Sequence, residues 1–436
     1  MAQFDKTDHK YLKNNDTVYE VVMLADQYGN NIGPANPSGV AVDAFGRARV
    51  STPLTLFDSS HRYTDNGLWA ESTSGTASST FNTNGGYIDL SIGSASGDEI
   101  VRETYKVFSY QPGKSLLILT TFRFEEAKTN LRQRVGYFGA QNGVYLQLND
   151  STTSFVERSY VTGSVVETTV NQADWNVDKM DGTGPSQLTL DITKAQILWT
   201  DIEWLGLGTV RMGFVIDGKF IHCHSFHHAN LVDGTYITTA SLPLRQEMTN
   251  TGTTSGPSDA IQVCCSVISE GGFELRGEQK AVNIDIETPR DLATAGTYYP
   301  IVSIRLKSAR RDAIAIITAL SIMGVGNNAH FNWKVIADGT TTGGTWVSAG
   351  SDSSIEYNIS GTSFANPTPT RTLASGYIAS TTQSTSSIDI LKEALFKFQL
   401  DADRLAGTSR ELTLVIATDT DGADVYASMD WEEISR

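Results

Sequence analysis

At 436 residues, 40% of them hydrophobic and 19% charged, the chain is long enough for two or three buried cores and too apolar for intrinsic disorder. A net charge of −16, with 33 Lys and Arg against 49 Asp and Glu, weighs against a nucleic-acid partner, because neutralising phosphates takes clustered cations. No apolar run approaches the roughly 18 residues of a membrane helix, and the polar N-terminal stretch predicts no secretory signal.

Residues 1–50 read as an arm. A single strand-like run, TVYEVVMLAD (Thr17–Asp26), sits there among Asn, Gly and Pro and cannot bury a core alone. It is expected to lie on the following domain or on a neighbouring subunit. From 51 to 280 strand signals follow in quick succession, among them ETYKVFSYQPGKSLLILTTFRF, RVGYFGAQNGVYLQLND, AQILWTDIEWLG, TVRMGFVIDGKFIHCHSF and AIQVCCSVIS. Turn pairs punctuate them at Pro112-Gly113, Asn142-Gly143 and Asp217-Gly218. With no helical patterns between the strands, an antiparallel sandwich of jelly-roll type fits best. Residues 281–300 read as a linker. Residues 301–436 read as a second β-sandwich, with one short helix over SIDILKEALFKFQL (Ser387–Leu400). The fold class is therefore all-β.

Cys223, Cys264 and Cys265 make no disulfide framework, and the chain is expected to fold in a reducing cytoplasm. Cys264 and Cys265 are adjacent on a strand and so point to opposite faces.

The stretch IHCHSFHHAN (Ile221–Asn230) holds four of the seven histidines. If the chain turns at Asp217-Gly218, Met212 faces Cys223, Gly213 faces His222 and Arg211 faces His224. One face then carries Met212, Phe214, Ile221 and Cys223, and His222 and His224 lie on the other beside the Arg211 guanidinium. A cation is a poor neighbour for a metal ion, and no carboxylate in the run anchors one, so an ordinary strand end is the better reading.

WTDIEWLG (Trp199–Gly206) is the sharper enzyme signal. Trp199, Asp201 and Glu203 alternate on one strand face, with Leu198, Ile202 and Trp204 on the other. Carboxylates two residues apart on a strand lie roughly 7 Å apart, near the spacing glycosidases use. The pair is similar to part of the Glu-x-Asp-x-x-Glu motif of jelly-roll glucanases but lacks its third acid, and paired acids on a strand are more often a solvated surface. ATDTDGADVY (Ala417–Tyr426) departs from calcium-loop spacing and reads as a hairpin turn at Asp421-Gly422. Nucleophile-elbow, phosphate-loop and zinc-helix motifs are absent, so no catalytic residue, cofactor or metal is expected.

AFGRARVSTPLTLFDSSHRYTDNGLW (Ala44–Trp69) resembles, in its AFGR-x-RVS-x-P-x-TLFDS pattern, the N-terminal signature of a family of tailed-bacteriophage virion structural proteins. The resemblance continues through YQPGKSLLILTTF, WNVDKMDGTGPS, the long run from Thr193 to Asn230, and SLPLRQEM, covering about residues 40–250. It implies a non-enzymatic particle component, made in the host bacterial cytoplasm and located in the virion, whose body is similar to concanavalin-like sandwiches. On that reading the partners are other virion proteins and copies of the chain itself, with a trimer favoured because closed symmetry covers sheet edges. Phe45, Arg47, Arg49 and Phe57 are the candidate assembly residues, with exposed intramolecular arginines the alternative. Host-surface glycans are the alternative partner, with Trp199, Asp201 and Glu203 as the residues facing them. Neither nucleic acid nor membrane is expected as a partner.

Overall fold

The strand Ser115–Arg123 shows how the first unit is built. Leu116, Ile118 and Phe122 are buried in one core, and Leu117 and Leu119 turn to the opposite face. A computed structural model describes residues 53–435 except Leu275, Asn327, Pro369 and 382–397, together with the backbone of strands Lys10–Asn14, Thr17–Val21, Leu24–Ala25 and Asn31–Ile32. Those four early strands form two small hairpins, Lys10–Asn14 with Thr17–Val21 and Leu24–Ala25 with Asn31–Ile32. Phe45, Arg47 and Arg49 lie outside the described residues.

The first unit is a jelly-roll sandwich of two antiparallel sheets. One runs Lys219–Phe226, Val210–Ile216, Gln196–Ile202, Ser115–Arg123, Ser258–Glu270, Tyr87–Ile92, Ser78–Asn82, and Leu54–Ser60 pairs with Ser258–Glu270 as well. The other runs Val166–Asn171, Thr152–Ser159, Gly143–Asn149, Leu131–Phe138, Leu244–Asn250, Glu99–Thr104, Trp69–Ser74. Neighbours far apart in sequence, such as Leu131–Phe138 beside Leu244–Asn250, are the crossovers of this topology. Aromatic rings fill the space between the sheets. Phe155 stacks on Trp175 at 4.3 Å, and Phe214 lies 6.2 Å from Phe155.

Phe57 belongs to this core, 7% exposed, with its ring 4.9 Å from Phe108. It therefore packs inside its own chain, and its proposed part in assembly is corrected: a buried ring has no surface left for a partner. Cys264 bonds the Thr121 hydroxyl while Cys265 enters the core, so the adjacent cysteines do face opposite ways; all three cysteines are free.

Tyr137 ties the two ends of the core. Its hydroxyl donates to the Ala240 carbonyl at 2.7 Å and accepts from the Leu242 N–H at 3.1 Å, and burial pushes its ionisation far above the ordinary phenol value. Tyr137→Phe is expected to cost about 1–3 kcal/mol, because it leaves a buried N–H and a buried carbonyl unpaired. Chemical denaturation at pH 7 measures it.

The second unit packs a four-stranded sheet (Glu278–Asn283, Ala423–Ser435, Arg290–Leu292 and Ile314–Val325) on a seven-stranded one (Val347–Ser348, Ile355–Asn358, Tyr299–Leu306, Glu411–Thr418, His330–Thr342, Ser363–Ala365, Arg371–Ala379). Two expectations are corrected here. The stretch 281–300 is no bare linker: Glu278–Asn283 and Arg290–Leu292 both pair with Ala423–Ser435, and Val282 and Ile284 enter the core. Asp421-Gly422 is no hairpin, since Glu411–Thr418 and Ala423–Ser435 belong to different sheets and the chain crosses between them there. The expected helix Ser387–Leu400 lies outside the described residues except at Phe398–Leu400, where Gln399 forms an antiparallel bridge to Ile316.

A strap from the second unit fastens it to the first. Gln399 donates to the Val107 carbonyl at 2.8 Å, and Arg404 donates to Glu103 Oε1 and the Tyr105 carbonyl, each at 3.0 Å. The Arg410 guanidinium lies 3.8 Å from the centre of the Tyr105 ring.

Candidate functional site

The strand Gln196–Ile202 places Trp199 and Asp201 on the outer face of the eight-stranded sheet and Leu198 and Ile202 in the core, as its alternation requires. Gly213 sits directly across from Trp199, and a side chain there would collide with the Ile221 carbonyl and the indole nitrogen. The indole therefore lies flat enough to donate to Ile221 O at 3.2 Å, and Phe220 and His222 close against it at 5.6 and 5.7 Å. Trp199 is left 6% exposed, Asp201 3% and Glu203 7%. The strand ends at Ile202, so Glu203 lies past it, and Asp201 sits opposite Arg211 in the register. The expectation of an open glycan-facing face at Trp199, Asp201 and Glu203 is corrected by this packing: a sugar cannot stack on an indole already covered by Phe220 and His222.

The histidine run is split by a bulge. Asp217 and Gly218 take positive φ values of 50° and 73°, the two-residue turn that Asp-Gly favours. Phe214 pairs with Ile221 and Gly213 with His222 as the turn predicts. The register then slips, pairing Met212 with His224 and Arg211 with Ser225. The expected Met212–Cys223 and Arg211–His224 pairs are thus corrected. His222 stays outside, bonding Ser225 Oγ at 2.9 Å, while His224 turns inward beside Phe155 and accepts from the Asn176 N–H at 3.3 Å. His228 is buried elsewhere, its Nε2 2.7 Å from Glu157 and its ring stacked 3.8 Å from Tyr236. The imidazoles diverge, and among the described residues no group of three His, Cys, Asp or Glu side chains is arranged to hold a metal.

Burial above all, then neighbouring positive charge, lowers both His222 and His224 to about 4 from 6.5. Between those values the unfolded chain binds more protons than the folded one, so stability is full above pH 6.5 and falls as pH drops towards 4. Denaturation midpoints measured across that window are expected to fall in the wild type and to fall less in a His222→Asn, His224→Asn double variant.

A continuous chain of charges lies on the outer face of the seven-stranded sheet. Arg404 reaches Glu103, Glu103 meets Arg245 at 3.1 Å, and Arg245 meets Glu247 at 2.8 Å. Glu247 meets Arg134 at 3.1 Å, Arg134 meets Glu167 at 3.5 Å, and Glu167 meets Arg158 at 2.8 Å. Seven alternating charges thus cross the sheet from the strap to its edge strand. They rest on an aromatic floor: Phe138 and Tyr145 lie 4.4 Å apart, and the Arg134 and Arg158 guanidiniums each lie 5.1 Å from the Tyr145 ring. Gly136 makes this floor possible, because a Cβ there would strike the Tyr145 backbone.

Burial alone would raise the Glu247 carboxyl, but Arg245 and Arg134 outweigh it and hold it below the usual carboxylate range. Glu167 is lowered in the same way, by Tyr145 and the two arginines. Carboxylates held ionised and clamped by guanidiniums are poor proton donors, so Glu247 and Glu167 do not suit the acid role in glycoside hydrolysis. The signal of the ion-pair chain in the sequence is charged residues two apart on single strands, Arg132 and Arg134 in LRQRV and Arg245 and Glu247 in LRQEM.

No family model matches the chain, and no curated protein matches it. Solved structures similar to it include the carbohydrate recognition domain of Emp47p (11% identity, 50% of this chain and 97% of that one, TM-score 0.31) and peanut lectin (9%, 50% and 98%, 0.27). A third is the conserved carbohydrate esterase of the Shiga toxin-encoding bacteriophage phi24B (13%, 50% and 99%, 0.29).

Proposed function

We propose that the chain is a structural component of a bacteriophage virion that acts by assembly and not by catalysis. The observation that carries this reading is the seven-member ion-pair chain. Its three carboxylates, Glu103, Glu167 and Glu247, are each engaged by two guanidiniums, and its terminal Arg404 belongs to the second unit. A brace of this kind rigidifies a two-unit block, which a particle component needs. The pattern AFGRARVSTPLTLFDS, with its resemblance to virion proteins, supports the same reading.

Copies of the chain and adjacent virion proteins are the partners this function requires. The edge strand Val166–Asn171 supports self-association: it is exposed along most of its length, Val161, Val165 and Val166 are open to solvent beside it, and no lysine or proline guards it. Closed symmetry, with a trimer favoured, covers such an edge. Mass spectrometry of purified particles of the encoding phage is expected to recover peptides from both units at a copy number that is a multiple of three. Particles free of those peptides would remove the proposal.

A further inference from the structure

Between the two units lies a cleft of about 730 Å³, within the range of roughly 300–1,000 Å³ typical of small-molecule sites. Its first wall is aromatic. The Tyr110 and Trp204 rings meet edge to face at 6.0 Å and 84°, and the indole N–H of Trp204 is fixed on the Ile237 carbonyl at 3.3 Å, which leaves the half-buried ring as a rigid surface. Next to it lies Ser241, a residue 8% exposed that lines the cleft. The facing wall comes from the second unit. There Arg310 is held by the Asp352 carbonyl at 2.6 Å, and Asp312, exposed at the mouth of the cleft, has no ion pair among the described residues.

An aromatic surface with a hydroxyl beside it, opposite a carboxylate and a guanidinium, suits a ligand with an apolar face and a rim of hydroxyl groups. The Asp352 carboxylate is paired with Lys280 at 3.2 Å, so the remaining charges of the lining are Arg310 and Asp312, one of each sign, which suits a neutral ligand. We propose that this cleft binds a short neutral oligosaccharide, its ring packed on Trp204 and its hydroxyls bridging Asp312 and Arg310. This goes beyond the assembly reading and does not rest on it: the cleft exists whether or not the chain is found in particles.

The test uses the full chain and four probes, maltotriose, mannotriose, galactotriose and chitotriose, each titrated to millimolar concentration by calorimetry. At least one is expected to bind. Asp312→Ala is expected to weaken that binding about tenfold or more, the loss of one charge-assisted hydrogen bond, at unchanged melting temperature. Trp199→Phe, on the outer sheet face, is expected to bind as the wild type does. If Asp312→Ala fails to fold, Asp312→Asn keeps the volume and replaces it. Binding of none of the four, or wild-type binding by both the Asp312 and a Ser241→Ala variant, would overturn the proposal.

Discussion

Glu247→Ala is expected to destabilise the first unit by about 3–5 kcal/mol, the cost of removing one partner from a buried charge network. The side chain of Glu247 is 5% exposed, and those of its partners Arg134 and Arg245 are 8% and 13% exposed. Truncation leaves both guanidiniums buried on one flank without their carboxylate, over the Phe138–Tyr145 floor that excludes water. Glu247→Gln keeps the shape and part of the hydrogen bonding, so it is expected to cost less. Acid should have the same effect as mutation. Because Glu247 and Glu167 are both lowered, their stabilisation is complete above the ordinary carboxylate pKa of roughly 4.3 and is lost as pH falls through their folded values. Denaturant unfolding at pH 7 and at pH 3 measures both effects. Equal stability of wild type and Glu247→Ala at pH 7 would mean that the ion-pair chain is not a brace.

Trp431→Ala is expected to cost a similar 3–5 kcal/mol, but in the second unit. Trp431 is fully buried on the strand Ala423–Ser435, across from both Lys280 and Ile317, so it sits where the four-stranded sheet is paired on both sides. Its indole N–H donates to Glu433 at 3.0 Å, and the same carboxylate accepts from Ser353 Oγ and the Ser354 N–H. Removing the ring opens a large cavity and takes one donor from a buried anion. Calorimetry should separate the two variants. Glu247→Ala lowers the transition of the jelly roll and Trp431→Ala that of the second sandwich, because the two cores share no residue. A common shift in both transitions would show that the strap through Arg404 couples the units into one folding block.

Where the sequence was legible, the reason was local. Alternation over Gln196–Ile202 separates Leu198 and Ile202 from Trp199 and Asp201 as found, because a strand's period is imposed by its own backbone. Asp217-Gly218 marked its hairpin because few other residue pairs accept two positive φ values. The errors came from facts that no single segment carries. A bulge at Cys223 inserts one residue with no compositional mark, yet it sends His224 to the opposite face from the one alternation predicts. Asp421-Gly422 looks like a hairpin from its flanks, and only the sheet to which each flank belongs shows otherwise. Trp199 was placed on the right face, but its cover by Phe220 and His222 depends on the far side of a hairpin packing back over Gly213. The ion-pair chain joins residues as distant as Glu103 and Arg404, so strand order had to be known before it could be seen.

The central claim is that this chain is part of a phage particle, and immunogold electron microscopy of purified particles tests it most directly. Antibody raised to the folded chain is predicted to place gold at one fixed position on the head or the tail, repeated from particle to particle. Absence of gold from intact and from opened particles, with an antibody shown to bind the native chain, would contradict the account.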